Sequence, residues 1–205
     1  MAISDKRIYL ASRSSRRRDL LRQIGVGHEL LVLREAQPRG RDVDESPHPG
    51  EAPRDYVLRV AAAKAAAGLH ALSLRRVMLK PVLAADTAIA LDGRIIGKPR
   101  DAADAATILG DLSGRDHLVM TAVAVAYAAR LETRLCVSKV WMCALDAARI
   151  QRYVLSGEPM DKAGAYAVQG RAAAFIARIE GSYSGIMGLP LAETAELLTQ
   201  FGVEM

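Results

Sequence analysis

The stretch that decides the fold class is Val82-Leu83-Ala84-Ala85-Asp86-Thr87-Ala88-Ile89-Ala90-Leu91, followed by Asp92-Gly93 and then Arg94-Ile95-Ile96. Small and branched apolar residues predict a strand over 82–91. Asp-Gly is a strong hairpin signal, so the chain should return through 94–96 as a second strand. One acid, Asp86, lies within the apolar run, and a lone carboxylate there is costly unless it is paired or binds a metal. Asp86 is therefore either a Mg²⁺ ligand or general base, or half of a structural ion pair, and Lys98 could pair with it in both cases.

The segments on either side of this hairpin predict one mixed α/β domain over residues 1–205. Predicted strands cover 7–11 and 173–179, and residues 117–145 alternate as two long antiparallel strands that break near Ala129-Arg130. The first predicted helix carries Leu20, Leu21 and Ile24 and ends at Gly25 and Gly27. A second predicted helix begins at Pro53, and three more cover residues 101–111, 145–155 and 191–201. Residues 37–53 and 181–188 are predicted loops. The order of elements is not a strict βαβ alternation, which indicates a sheet with antiparallel content.

Composition excludes several classes of protein. The 205 residues are 51% hydrophobic and 25% charged, which excludes an intrinsically disordered chain. The formal net charge is +5, and residues 1–22 alone supply it, with seven basic and two acidic side chains. The remaining 21 basic and 21 acidic residues cancel. The protein is therefore not generally basic, and its N-terminal segment needs an anionic partner or another explanation.

Targeting and redox signals point to a reducing cytoplasm. No stretch approaches the ~18–20 apolar residues of a membrane span, and residues 1–20 carry charges where a signal peptide has its apolar run. The two cysteines, Cys136 and Cys143, are seven apart in a predicted strand and should face opposite sides of it, so a disulfide is not expected. Their spacing is not that of a zinc site.

The first candidate site is Ser12-Arg13-Ser14-Ser15-Arg16-Arg17, between a strand and a helix. Helix-terminal N–H groups attract anions, and guanidinium groups bind phosphate with two hydrogen bonds. Serine hydroxyls add further donors. The alternative is a solvated basic turn with capping serines, but three arginines at a helix N-terminus oppose the helix dipole. The pattern favours a phosphate site.

Three further segments carry candidate residues. The segment Gly93–Pro99 lacks the spacing of a P-loop, so it is better interpreted as a hairpin that presents Lys98, or as an ordinary surface lysine. The acidic loop with Glu45, together with Lys64 downstream, could supply magnesium ligands, although a solvated loop is favoured on the residues alone. Residues 156–170 form a loop that lines a pocket or merely connects elements, and the Gln169 amide offers the donors and acceptor that a pyrimidine edge requires.

Taken in their order along the chain, these candidate segments resemble the motifs of the Maf family of nucleoside triphosphate pyrophosphatases. The resemblance runs from residue 8 to about 198 and rests on Leu10–Arg17, Ala85-Asp86-Thr87, Gly97-Lys98-Pro99, Leu112-Ser113-Gly114 with His117, Gly157-Glu158-Pro159 with Asp161–Tyr166 and Gln169-Gly170, and Gly188–Leu191. The stretch Asp161–Tyr166 with Gln169-Gly170, and Thr87 after Asp86, look like the branch that acts on dTTP and UTP.

The resemblance implies hydrolysis of a nucleoside triphosphate between its α and β phosphates, with Asp86 as the catalytic acid. It assigns base choice to Arg16, Thr87 and Gln169, and it implies phosphate or metal contacts by Ser12, Ser14, Arg17, Glu45, Lys64 and Lys98. Arg13 or Arg16 would neutralise phosphate charge together with Lys98. The implied metal is Mg²⁺ or Mn²⁺, with Asp86 and Glu45 as its ligands; Asp86 either deprotonates the attacking water or orients it through the metal. The implied fold is a two-lobed α/β structure around a long mixed sheet with a central cleft, usually a homodimer.

Three other functions compete with this hypothesis. A nucleic-acid binder would use the N-terminal arginines, but only 4% of residues are aromatic and the rest of the chain is neutral. A weakly active nucleotide-binding regulator of cell division would bind dTTP or UTP and release little pyrophosphate. A sibling pyrophosphatase would prefer another base. The expected partner is a free nucleoside triphosphate, not a nucleic acid or a membrane.

Overall fold

The computed structural model describes residues 8–34, 42–75 and 77–204. The strands in these ranges are β1 (Ile8–Leu10), β2 (His28–Leu30), β3 (Val82–Leu91), β4 (Arg94–Ile96), β5 (Asp116–Tyr127), β6 (Arg130–Met142) and β7 (Ile176–Glu180). The α-helices are α1 (Ser15–Gln23), α2 (Pro53–Arg75), α3 (Ala102–Leu112), α4 (Ala147–Leu155), α5 (Tyr183–Met187) and α6 (Leu191–Gln200), and short 3₁₀ helices cover Ala163–Ala165 and Arg171–Phe175.

The strands form one mixed sheet in the order β2-β1-β3-β5-β6-β7, with β4 paired to β3. β1 is parallel to β2 and β3, and every other described pair is antiparallel. The predicted fold class, an α/β structure around a long mixed sheet, is confirmed.

β3 separates the two faces of the core because successive side chains point to opposite sides of a strand. Val82, Ala84 and Ala88 pack with the apolar side of α2. Leu83 and Ala85 pack with residues of α1 and α6. By this alternation Asp86 lies on the face of β3 that packs against α2, and Thr87 lies on the face that packs against α1 and α6.

A third core cluster lies at the other end of the long strands. Ile89 and Leu91 at the end of β3 pack with Leu109 of α3 and Tyr153 of α4. Asp86 and Thr87 therefore lie near the boundary between two groups of packed helices, which agrees with a two-lobed arrangement.

Helix α2 approaches the sheet closely at Gly68. A Cβ on Gly68 would lie 2.7 Å from Cγ1 of Val82 and 3.1 Å from Cδ2 of Leu31, so a larger residue would push the helix away from the sheet. By length and composition α2 reaches the threshold for a membrane span, which corrects the expectation that no stretch approaches one. Its buried residues pack on β3 as a core helix does.

Most predicted helices and strands begin and end within one or two residues of the predicted positions, with the exceptions that follow. β2 is an unpredicted strand. The predicted strand over 173–179 begins at Ile176, because Arg171–Phe175 is a 3₁₀ helix. The predicted loop 181–188 contains α5, where the Ser182 hydroxyl caps the helix by accepting from the N–H of Gly185. Arg7 of the first predicted strand and residues 37–41 of the predicted loop lie outside the described residues.

Candidate active site

Lys64 joins the two carboxylates that were predicted as metal ligands. Its Nζ lies 2.8 Å from Oδ1 of Asp86 and 2.8 Å from Oε2 of Glu45. Asp86 comes from the middle of β3 and is only 7% exposed, Lys64 comes from α2, and Glu45 comes from the loop before α2. The three side chains together carry one net negative charge, and the positive charge of Arg17 also interacts with both carboxylates.

The expectation that Lys98 pairs with Asp86 is wrong. Lys98 follows β4, is exposed, and has no hydrogen bond or ion pair within the described ranges. Lys64 takes the place beside Asp86, because α2 packs against the face of β3 from which Asp86 projects. The pairing depends on how α2 lies on the sheet, which no local pattern in the sequence specifies.

The loop carrying Glu45 is held in place by α2. The phenol of Tyr56 donates to the carbonyl oxygen of Glu45 at 3.0 Å. Arg59 binds Glu51 with two hydrogen bonds, from Nε at 2.6 Å and from Nη2 at 2.8 Å, and Nη2 also donates to the carbonyl of Ser46. Burial, and then the charges of Asp86 and Glu45, raise the pKa of Tyr56. Sequence reasoning missed these contacts of Tyr56 and Arg59.

Arg17 connects α1 to both the sheet and the loop before α6. Its Nε donates to the carbonyl of Gly188 at 2.7 Å, Nη1 to Oγ of Ser12 at 3.2 Å, and Nη2 to Oγ1 of Thr87 at 3.4 Å. Burial lowers the pKa of this guanidinium, and the negative charge of Asp86 opposes that shift. Arg17 thus anchors the turn that was predicted to bind phosphate, and its own contact with phosphate stays a prediction.

The two serines of this turn accept hydrogen bonds from its backbone. Oγ of Ser12 accepts from the N–H of Ser14 at 3.2 Å, and Oγ of Ser14 accepts from the N–H of Arg17 at 3.4 Å. Ser14 is therefore the N-cap of α1. Within the described residues neither hydroxyl hydrogen has an acceptor, so both hydroxyls can donate to a phosphate oxygen.

Thr87 takes part in a chain of hydrogen bonds on the opposite face of β3 from Asp86. The hydroxyl of Thr121 donates to the carbonyl of Gly185 at 2.8 Å, and the Thr87 and Thr121 oxygens are 2.9 Å apart. Since the single hydroxyl hydrogen of Thr121 is used at Gly185, Thr87 must donate to Thr121. The geometry brings Thr87 together with Arg17, and its predicted part in base choice stays a prediction.

Arg16, near the start of α1, and Lys162, in the loop over residues 156–170, lie close enough for their positive charges to interact. Arg16 is half-buried and has no hydrogen bond or ion pair in the described part of the chain, and burial lowers its pKa. Lys162 donates to the carbonyl of Met160 at 3.3 Å. Burial, and then the charge of Arg16, lower the pKa of Lys162, while Glu158 and Asp161 oppose the shift. Partly buried like charges favour an anion in the space they share. Lys162 was not among the predicted site residues.

The loop with Lys162 and Gln169 lies against the hairpin that carries Lys98. The N–H of Gly164 donates to the carbonyl of Gly97 at 2.9 Å. Gly164 has φ +69°, a conformation that favours glycine, and a Cβ there would clash with Cδ1 of Ile89 unless that side chain moved. Gln169 is exposed. The predicted residues thus fall into an inner group around Asp86 and Arg17 and an outer group with Lys98 and Gln169.

The remaining predicted residue, Arg13, lies at the edge of this site. Its guanidinium is exposed and donates to the carbonyl of Leu33 at 3.3 Å. This contact ties the turn that is predicted to bind phosphate to the chain after β2.

The carboxylates at Lys64 fit a magnesium-type site. Lys64 contacts Oδ1 of Asp86 and Oε2 of Glu45, and in the described part of the chain the other oxygen of each carboxylate has no hydrogen-bond partner. Mg²⁺ is commonly held by one or two carboxylates, with water and substrate phosphate completing its coordination. No group of three or more His, Cys, Asp and Glu suited to a metal occurs among the described residues. The donors therefore suit an ion that arrives with a phosphate.

Comparisons with known proteins agree with the motifs. A family model described as Maf-like protein matches residues 7–201. A relative from Aromatoleum aromaticum is 59% identical over 198 residues, covering 96% of each chain, and one from Nitrosomonas europaea is 53% identical, covering 97% of this chain and 96% of its own. A third, from Dechloromonas aromatica, is 50% identical over 96% of this chain and 98% of its own. All three are named dTTP/UTP pyrophosphatase.

A solved structure described as the Staphylococcus aureus Ham1 protein is also similar. It has a TM-score of 0.47 and 17% sequence identity, and the match covers 95% of this chain and 97% of that one. A likeness at that level carries no argument about function.

Proposed function

This chain belongs to the Maf-like protein family, and we propose that it hydrolyses dTTP and UTP between the α and β phosphates. The products are the nucleoside monophosphate and pyrophosphate. The observation that carries this proposal is the position of Asp86, buried beside Lys64 and Glu45 and near the cations of α1. The names of the relatives, at 50–59% identity over almost their whole length, support the same activity.

The triphosphate is bound by hydroxyl groups and by cations that form no ion pair in the described ranges. Arg16 and Lys162 supply two positive charges, and Ser12 and Ser14 supply hydroxyl donors. Lys98 adds an exposed ammonium from the neighbouring hairpin. Attack at the α phosphorus puts negative charge on its equatorial oxygens and on the leaving pyrophosphate, and pre-placed cations stabilise that charge.

Asp86 acts on the attacking water through its unoccupied oxygen. Lys64 holds Oδ1, so Oδ2 is the atom that can accept a hydrogen bond or a proton from water. A bound Mg²⁺ or Mn²⁺ would be held by Asp86 and Glu45 and would supply additional positive charge for the phosphates.

Gln169 recognises the base in this proposal. Its amide offers both a donor and an acceptor to the edge of a pyrimidine ring, and the side chain is exposed at the end of a buried loop. Thr87 acts on base choice through Arg17, to which it is hydrogen-bonded.

The wider setting of the enzyme is part of the proposal. We propose a cytoplasmic homodimer that acts on free nucleotides, not on nucleic acids or at a membrane, and removes unwanted nucleotides before they enter nucleic acid. Light scattering of the purified chain tests the dimer. A gel shift with duplex DNA at physiological salt tests the exclusion of nucleic acid, since tight and salt-dependent binding would contradict it.

One assay tests the reaction itself. The protein is incubated with dTTP, UTP, CTP, ATP and GTP in the presence of Mg²⁺ or Mn²⁺, and pyrophosphate and orthophosphate are quantified separately. Pyrophosphate with monophosphate from dTTP and UTP is the expected result. Orthophosphate as the main product would overturn the cleavage position. Tight binding of dTTP without turnover would favour the regulator of cell division, and a purine preference would favour a sibling enzyme.

A further inference from the structure

The carboxylate of Glu158 accepts hydrogen bonds from three donors around the loop that carries Gln169. Oε1 accepts from the phenol of Tyr153 at 2.9 Å, and Oε2 accepts from the N–H of Arg171 at 3.1 Å. The N–H of Ala172 makes a longer contact with Oε1 at 3.5 Å. One half-buried side chain thus joins α4 to the 3₁₀ helix that begins two residues after Gln169.

Gly170 packs directly against this carboxylate. A Cβ on Gly170 would clash with Oε1 of Glu158 and would lie 2.6 Å from its Cδ, so only glycine fits while Glu158 keeps its position. The N–H of Gly170 donates to the carbonyl of Ala167 at 3.0 Å, and its own carbonyl accepts from the N–H of Ala173 at 3.0 Å. The backbone beside Gln169 is therefore fixed by the carboxylate and by two backbone hydrogen bonds.

The residues before Gln169 leave it as the exposed side chain of this turn. Tyr166, Ala167 and Val168 are buried, whereas Gln169 is exposed. Burial raises the pKa of Glu158, but its backbone and phenol hydrogen bonds outweigh burial and hold the pKa below its ordinary value. Glu158 is therefore ionised at neutral pH and can accept from all of its donors.

We infer that Glu158 is a positioning residue for base recognition, because its carboxylate, packed against Gly170, sets where the amide of Gln169 meets the edge of a pyrimidine. The inference rests on the proposed function, in which Gln169 contacts the base. Glu158 itself touches no substrate in this role. It acts only through the backbone of the turn.

Glu158 also lies close enough to Lys162 for their charges to interact, so charge and geometry must be separated. Replacing Glu158 by Gln removes the charge but keeps the size and one acceptor oxygen. Replacing it by Ala removes both. If Glu158 acts through its packing and hydrogen bonds and not through its charge, the Gln variant keeps most of the base selectivity that the Ala variant loses.

The experiment measures binding rather than turnover, so that it does not depend on the proposed reaction. The dissociation constants of the non-hydrolysable α,β-methylene analogues of UTP and GTP are measured by calorimetry. The proteins compared are the wild type, E158Q, E158A, G170A, the E158A/G170A double variant and E180A. Glu180 is an exposed carboxylate paired with Arg178 and serves as the matched control.

We expect the wild type to prefer the UTP analogue, and E158A and G170A each to reduce that preference by about tenfold, since a displaced hydrogen-bonding amide loses about one net hydrogen bond. The double variant should be no less selective than E158A alone, because removal of the carboxylate makes room for the new methyl group. E158Q should keep most of the preference, and E180A all of it. Thermal melting of each variant identifies those that have simply lost stability.

Several results would overturn the inference. The inference fails if the wild type binds the UTP and GTP analogues equally, or if folded E158A or G170A keeps the wild-type preference. It also fails if the losses of preference in E158A and G170A multiply in the double variant, or if E158A and G170A lose the same affinity for both analogues. If E158A does not fold, E158D replaces it, because it keeps the charge and withdraws the carboxylate by one methylene. Pyrophosphate release by the wild type, measured separately, shows whether the proposed function holds.

Discussion

The ammonium of Lys64 lies 2.8 Å from Oδ1 of Asp86, on the side of β3 that faces α2. This contact fixes one carboxylate oxygen and leaves Oδ2 for water or a metal. The same ammonium reaches Glu45 at 2.8 Å. Asp86 is thus oriented by the protein before any substrate arrives.

Replacing Asp86 by Asn should abolish most turnover and spare nucleotide binding. The Asn oxygen can still accept from Lys64, so the packing is kept, but the amide cannot take a proton and is a poor metal ligand. We expect kcat for UTP to fall by about 10²–10⁴-fold, the usual range for loss of acid–base catalysis, with little change in the dissociation constant of the α,β-methylene analogue. Asp92→Asn is the matched control, since Asp92 is exposed and pairs with Arg115. Near wild-type turnover in Asp86→Asn would contradict the role given to Asp86.

Replacing Lys162 by Ala should weaken binding of the triphosphate. Lys162 and Arg16 repel each other, and a bound phosphate relieves that repulsion. We expect KM for UTP to rise about tenfold, as for the loss of one hydrogen bond to a charged group, with a smaller effect on UMP as a competitive inhibitor. Steady-state kinetics at two salt concentrations measure this, and the dependence on salt should also decrease. Lys139→Ala is the control, because Lys139 on β6 pairs with Asp116 on β5. An unchanged KM would remove Lys162 from the phosphate site.

The sequence predicts β3 and its hairpin to the residue, because an apolar run that ends in Asp-Gly depends on local signals only. β3 covers Val82–Leu91 and β4 covers Arg94–Ile96, as expected. α2 begins at the predicted Pro53 for the same reason. Local chemistry therefore predicts where these elements lie along the chain.

Contacts between distant elements could not be predicted in the same way. The pairing of Asp86 with Lys64 depends on how α2 is set against the sheet, and that setting depends on the close approach at Gly68. Glu158 and Gly170 come together only because the loop between them turns back on itself. The resemblance to a family named residues of the site, whereas the partner of each residue required the structure.

Replacing Tyr56 by Phe should weaken metal binding through Glu45. The phenol donates to the carbonyl of Glu45 at 3.0 Å, and its loss frees the loop that carries this carboxylate. We expect a several-fold rise, about one net hydrogen bond, in the dissociation constant of Mn²⁺ measured by calorimetry in the presence of the α,β-methylene analogue of UTP. Tyr127→Phe, at an exposed position at the end of β5, is the control. Equal Mn²⁺ affinity in wild type and Tyr56→Phe would show that the loop is held without this bond.

Protonation of His117 should destabilise the protein in acid. His117 is 2% exposed, and its Nε2 lies 2.7 Å from the phenol oxygen of Tyr166, while Nδ1 is buried without a partner in the described residues. Burial lowers the pKa of His117 to about 4. In the unfolded chain a histidine has a pKa of about 6.5, so between these values the unfolded state binds more protons than the folded one. The contribution of His117 to stability is then full above about pH 6.5 and is lost as the pH falls towards 4.

His117→Gln tests this dependence, because the amide can still bond to Tyr166 but does not titrate in this range. The free energy of unfolding, measured by urea denaturation from pH 4 to pH 8, should fall less steeply with acid in the variant than in the wild type. The difference across the range should be of the order of 3 kcal/mol at most, from the shift in the pKa of His117. His70→Gln, at an exposed position of α2, should leave the profile unchanged. Parallel profiles for wild type and His117→Gln would mean that other groups cause any loss of stability in acid.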